Sequence, residues 1–84
     1  LKERKIDMPF VQIKLIEGVF SGEQKRQILN KVTEAMLSVE GENMRQVTSV
    51  IIEEVKSGDW AMGGKPLETD DVKALAAGKQ GKAA

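Results

Sequence analysis

Among its 84 residues the chain has no cysteine and no histidine. That absence removes thiol nucleophiles, disulfides, thiolate or imidazole metal sites, and the usual general base near neutral pH. Any acid–base chemistry therefore needs a less common group, and no metal site is expected. Net charge is lacking too: thirteen Lys and Arg balance thirteen Asp and Glu, so no whole-protein field draws in nucleic acid or an anionic membrane. No apolar run approaches the length of a membrane span. The opening "LKERKID" is basic like the start of a signal peptide, but Gln12, Lys14 and Glu17 interrupt the apolar run behind it. Aromatic residues are few, with one Trp and two Phe. A chain of this length makes one domain at most, and its expected location is the cytoplasm.

What is present is a clear alternation of periods. In "PFVQIKLI", from Pro9 to Ile16, Val11, Ile13 and Leu15 share one face while Phe10, Gln12, Lys14 and Ile16 share the other. That is the period of a strand. Glu17 and Gly18 break it, and Ser21 with Gln24 forms a capping-box signature at the start of a helix. Ile28, Val32, Ala35, Met36 and Val39 supply an apolar stripe, and Gly41 a stop. A second strand is expected over Val47 to Val55, where Val50, Ile51 and Ile52 are apolar on both faces. Strand, helix, strand of this length implies parallel pairing. "KSGDWAMGGKPL" reads as a small hairpin around Trp60 and Met62 turning at Gly63 and Gly64. Thr69 is the expected cap of a short helix in "DDVKALAA", ended by Gly78.

The expected fold class is therefore α+β: a βαβ protomer with two parallel strands, one main helix and a short C-terminal hairpin. Two strands under one helix are a poor isolated fold. The uncovered sheet face is expected to meet another subunit, with Phe10, Ile16 and the outward members of Val50 to Ile52 as the contact.

Several constellations carry no chemistry on inspection. Glu53 and Glu54 are neighbours on a strand and point to opposite faces, so they make a poor acid–base or metal pair. "ETDD" is explained by helix capping rather than a hard cation. "GG" lacks the lysine and following helix of a phosphate loop. "KERK" is a weak footprint for nucleic acid on a neutral chain. Lys14, Arg45 and Lys56 read as solvated surface charge.

Taken together and in order, "MPFVQIKLIEG", "GEQKRQILNKVTEAM", "VIIEE" and "GDWAMGG" resemble the 4-oxalocrotonate tautomerase family. The resemblance runs from Met8 to about Leu67 with one or two single-residue insertions. It implies a tautomerase-like protomer that pairs into a four-stranded sheet and assembles, usually as a homohexamer, with active sites near subunit boundaries. It implies an isomerase interconverting keto and enol forms of a small carbonyl compound without a cofactor. The resemblance also makes Pro9, the residue after a candidate initiator Met8, the catalytic general base once the methionine is removed. Residues 9–78 would form the tautomerase-like domain, residues 1–8 an upstream extension plus initiator methionine, and residues 79–84 a flexible tail.

The chemistry asked of Pro9 is intelligible by itself. A free α-amine has a reference pKa of about 7.7 to 8.0, which an apolar pocket moves down toward 7. A group titrating there is a usable base. Behind a peptide bond the same nitrogen is an amide and no base at all. The expectation that "LKERKID" is absent from the native protein is thus inseparable from the catalytic one.

The sequence departs from the family where arginines bind substrate carboxylates. Val19 or Phe20 stands at the first such position and Ser49 at the second. Each lost charge-assisted contact is worth roughly 1.5 to 3 kcal/mol, so a dicarboxylate substrate is not carried over and the pocket reads as apolar. Trp60 matches an aromatic pocket wall and is a candidate substrate contact, although a sole tryptophan also serves as a core anchor. Ser49 is a candidate hydrogen-bond donor to substrate, or a strand serine satisfied by backbone. Two other readings stay open: a hydratase or dehalogenase activity, and a non-catalytic oligomeric module in which the upstream residues block Pro9.

Overall fold

The computed structural model describes residues 8–78. The expected upstream segment 1–7 and the tail 79–84 lie outside the described residues. The elements follow as β1 (Phe10–Ile16), α1 (Gly22–Glu40), a 3-10 turn (Glu42–Val47), β2 (Ser49–Val55), β3 (Trp60–Met62), β4 (Lys65–Leu67) and α2 (Thr69–Ala76). Strands β1 and β2 pair in parallel from Phe10 opposite Ser49 to Ile16 opposite Val55. The ladder opens with the Ser49 amide donating to the Pro9 carbonyl at 3.0 Å and closes with the Glu17 amide donating to Val55 at 2.9 Å.

Helix α1 begins where the capping chemistry lies. The Gln24 amide donates to Ser21 Oγ at 3.1 Å and the Ser21 amide to Gln24 Oε1 at 2.9 Å, so two otherwise orphaned donors are satisfied reciprocally. Gly41 ends it at φ +105°, its amide donating to Leu37 at 2.8 Å. Lys25 of α1 reaches Glu54 at 3.0 Å. That pair marks the helix side of the sheet, which by alternation also carries Val50, Ile52 and their register neighbours Val11, Ile13 and Leu15.

The inward stripe of α1 keeps Ile28, Val32 and Met36, half-buried as expected, but differs at Ala35 and Val39. Leu37 is buried at 5% exposure while Val39 stands 88% exposed, and Ala35 is exposed as well. The helix is rotated toward Leu29, Thr33 and Leu37. Thr33 tolerates that side because its hydroxyl donates to the Leu29 carbonyl at 2.7 Å, which hides its polarity from the packing. Strand β2 begins at Ser49 rather than Val47, because Val47 closes the 3-10 turn. That turn is tied to α1 by Arg45, whose Nη1 donates to Glu34 at 2.8 Å and whose Nη2 and Nε both engage Glu42.

The hairpin forms as its turn residues require. Gly63 and Gly64 have φ of +59° and +86°, the double positive φ of a tight two-residue turn. Met62 pairs with Lys65 and Trp60 with Leu67. Helix α2 starts one residue earlier than expected: Glu68 is its cap, and the Glu68 amide donates to Asp71 Oδ2 at 3.0 Å. Thr69 instead donates its hydroxyl to the Glu17 carbonyl.

Burial is sparse. Among the described residues only Ile16, at 6% exposure, and Leu37 are buried, while Phe10 on the face away from α1 is 61% exposed. Ile16, expected at a subunit contact, is instead covered within the protomer. Replacing Ser21 by Ala should lower stability by about 1 kcal/mol. Its expected signature is a lower denaturant midpoint with unchanged slope, measured at fixed protein concentration.

Candidate functional site

An apolar cleft of about 230 Å³ lies at the C-terminal end of β1. Leu15 and Ile16 of β1 and Val19 and Phe20 of the following loop form one side. Trp60, Met62 and Leu67 of the hairpin and Val72 of α2 form the other, and among the described residues Lys14 is the one charged lining residue. Lys14 is already engaged: its Nζ lies 2.6 Å from Glu53 Oε1. The cleft thus offers dispersion contact and dehydration rather than charge.

A polar clasp holds the hairpin and α2 over the strand end. The Ser57 amide donates to Glu17 Oε2 at 3.1 Å, the Thr69 amide to Ser57 Oγ at 2.9 Å, and the Thr69 hydroxyl to the Glu17 carbonyl at 2.6 Å. The approach is close enough that Gly18, at φ +81°, could carry no Cβ without pressing to 3.2 Å from Thr69 Cγ2. Glycine is needed there on both counts. At the base of the hairpin the Gly58 amide donates to Leu67 at 3.0 Å.

The three candidate site residues are not gathered in one place. Pro9 is half-buried at the start of β1, six residues of strand from Leu15, or about 20 Å at the rise of an extended chain. Trp60 is in the cleft at the far end. Ser49 is the backbone neighbour of Pro9, but as the register partner of Phe10 it belongs to the face of the sheet opposite the helix. Val19 and Phe20, one of which is expected at an arginine position of the family, both line the cleft beside Trp60. Val72 was not anticipated as a lining residue. Its sequence signal, an apolar residue inside a short capped helix, does not reveal what that helix packs against.

The surface charges resolve into pairs. Glu53 and Glu54 do point apart, to Lys14 and Gln12 on one face and to Lys25 on the other. Glu53 is held below its ordinary value of 4.5 by hydrogen bonds from Lys14 and then Gln12. The Arg45 guanidinium likewise lowers Glu42. Among the described residues no cluster of three His, Cys, Asp or Glu could hold a metal ion. No described helix is long and apolar enough to cross a membrane.

A βαβ unit whose hairpin arches over the end of its first strand, enclosing an apolar cleft, defines a protomer of the 4-oxalocrotonate tautomerase kind. The comparisons agree. A family model described as tautomerase enzyme matches residues 9–70. The 2-hydroxymuconate tautomerase of Bacillus subtilis is 40% identical over 60 residues, spanning 71% of this chain and 94% of that protein. Among solved structures, a 4-oxalocrotonate tautomerase isozyme of Methylibium petroleiphilum matches with TM-score 0.62 at 41% identity, covering 69% of this chain and 90% of that one. DmpI of Helicobacter pylori matches with TM-score 0.62 at 36% identity, covering 70% and 95%. The chain belongs to the tautomerase family, and its activity class is that of an isomerase.

The Lys14–Glu53 pair yields a pH prediction. A carboxylate whose pKa falls on folding stabilises the protein above its unfolded value, here 4.5, and that contribution fades as pH drops through the lowered folded value. Glu53→Gln should therefore be less stable than the parent near neutrality and converge with it in acid. Added salt should narrow the neutral-pH gap, since both side chains are solvent-exposed. A gap that persists undiminished into acid, in denaturation midpoints, would contradict the assignment.

Proposed function

We propose that the protein catalyses keto–enol tautomerisation of a small carbonyl compound, with Pro9 as the amino-terminal general base. The reading requires that residues through Met8 be absent from the active chain. Neutral Pro9 nitrogen takes a proton from carbon next to the carbonyl and returns it further along the conjugated system. Substrate and product are isomers, so the cycle needs no co-reactant and leaves the amine as it began.

The observation that carries this reading is the arrangement of β1. Pro9 stands at one end and the apolar cleft at the other, and in a sheet of order β1-β2 the outer edge of β1 is unpaired. If β1 of a second copy pairs antiparallel along that edge, each Pro9 comes opposite the other copy's Leu15 and Ile16, beside its Trp60. An amine dried by an apolar cleft has the lowered pKa the chemistry needs. The sparse burial within one protomer and the exposed Phe10 support self-association, with a homohexamer as the expected assembly. Trp60 then shapes the pocket, and Ser49, on the other sheet face, is left to a further subunit's site.

The relative named 2-hydroxymuconate tautomerase suggests a dicarboxylate. A dicarboxylate fits poorly, because Val19 or Phe20 is expected at the first cation position and Ser49 at the second, and the lining charge of the cleft is already paired.

Two measurements on the protein purified from its own cells test the proposal. Intact mass should correspond to a chain beginning at Pro9, and native mass to six subunits. Pro9→Ala should slow enol-to-keto conversion, followed by loss of conjugated-enol absorbance, by a factor of about 100 or more. Equal rates would remove Pro9 from the mechanism. A native chain retaining Leu1 to Asp7, assembled but inert, would favour a non-catalytic module.

A further inference from the structure

Helix α2 lies almost wholly beyond the residues that match the family, which end at Asp70. Yet Val72 of that helix lines the cleft together with Phe20 and Trp60. Its placement is not incidental. Thr69, three residues earlier, is fixed through its amide to Ser57 and through its hydroxyl to Glu17, and Gly18 allows the close approach. The entry of α2 is therefore anchored to the turn after β1, and Val72 is held against the cleft.

The cleft so completed has a definite chemical preference. Its volume of about 230 Å³ lies below the roughly 300 to 1,000 Å³ of pockets for drug-sized ligands, so it admits a short tail only. The only cation lining it among the described residues, Lys14, is spent on Glu53 at 2.6 Å. A second carboxylate entering it would lose its hydration without gaining a partner. Methylene or aryl groups would gain from every contact.

We infer that the cleft receives an apolar tail of the substrate, a carbonyl compound bearing at most one carboxylate, and that Val72 sets how long that tail can be. This rests on the reading in which Pro9 of a second copy meets the cleft, with the reacting carbonyl held at the Pro9 end and the tail running toward α2. Val72 is a specificity-determining residue and takes no part in proton transfer.

The sole tryptophan lies in the cleft and reports binding without turnover. Titrating the assembled protein whose chain begins at Pro9 with straight-chain 2-oxo acids of about four to eight carbons, followed by Trp60 fluorescence, should show affinity rising about three- to fourfold per methylene until the cleft is full. The equal-length 2-oxo dicarboxylates should bind at least tenfold more weakly. Val72→Phe, which fills the far end, should abolish the gain for the longer acids and leave the shortest within about twofold. If that variant fails to assemble, Val72→Ala should extend the plateau to a longer acid. Affinity independent of chain length, dicarboxylates binding as well as monoacids, or an unchanged profile in both Val72 variants would overturn the inference. Because binding is read apart from catalysis, the profile can hold while Pro9→Ala retains full activity, in which case the base assignment fails and the cleft assignment stands. The reverse pattern, loss of activity in Pro9→Ala with no chain-length dependence, retires the cleft assignment alone.

Discussion

A parallel pair of strands can be covered by one crossover helix on one face only, and the rest of this molecule is organised around that limit. Helix α1 covers the side carrying Val11, Ile13, Val50 and Ile52, and Lys25 with Glu54 secures it there. The opposite face holds Phe10, Gln12 and Lys14, all exposed. With only Ile16 and Leu37 buried among the described residues, the protomer removes little apolar surface from water. Hydrophobic burial is the main favourable term available to a fold, and the proposed association of copies would add to it. The same unfinished edge and face that weaken the isolated chain are what would bring a base and a cleft from different copies together.

The site reflects a division between charge and apolar surface. The ion pairs found among the described residues are Lys14 with Glu53 at the cleft's edge, Lys25 with Glu54 between α1 and the sheet, and Arg45 with Glu34 and Glu42. The cleft is left to dispersion and dehydration. Such a pocket suits a neutral amine, whose charged form it disfavours, and ill suits a doubly charged substrate. The apolar Val19 and Phe20, and the added wall from α2, act in the same direction. The hydrogen bonds of Glu17, Ser57 and Thr69 are the means by which a short hairpin and a short helix keep a fixed position over the strand end despite little burial of their own.

Most of the fold was legible in local patterns. The alternation in β1, the Ser21–Gln24 box, Gly41, and the Gly63–Gly64 turn each encode their structure through nearest-neighbour chemistry. The errors fell where a residue's role depends on something distant. Val39 continues the helical period yet points to solvent, because the inward face is rotated toward Thr33, whose hydroxyl is satisfied within the helix. Thr69 has the right side chain for a cap, but its hydroxyl is taken by a carbonyl 52 residues away, and Glu68 caps instead. Ile16 looks like an outward-facing strand residue until hairpin and α2 cover it.

Two kinds of determination can be separated here. The residues by themselves dictate the βαβ order and the hydrophobic faces of the two strands, because each follows from side-chain type and spacing along a few turns or a single strand. Pro9 became a candidate base through the resemblance to the family, which the order of those segments carries. Folding in three dimensions decided that Pro9 and Trp60 lie at opposite ends of one strand, that Ser49 belongs to the other face, and that α2 brings Val72 to the cleft. Those relations depend on strand rise, on which sheet face the helix covers, and on hydrogen bonds between segments some forty to fifty residues apart, none of which a linear pattern encodes.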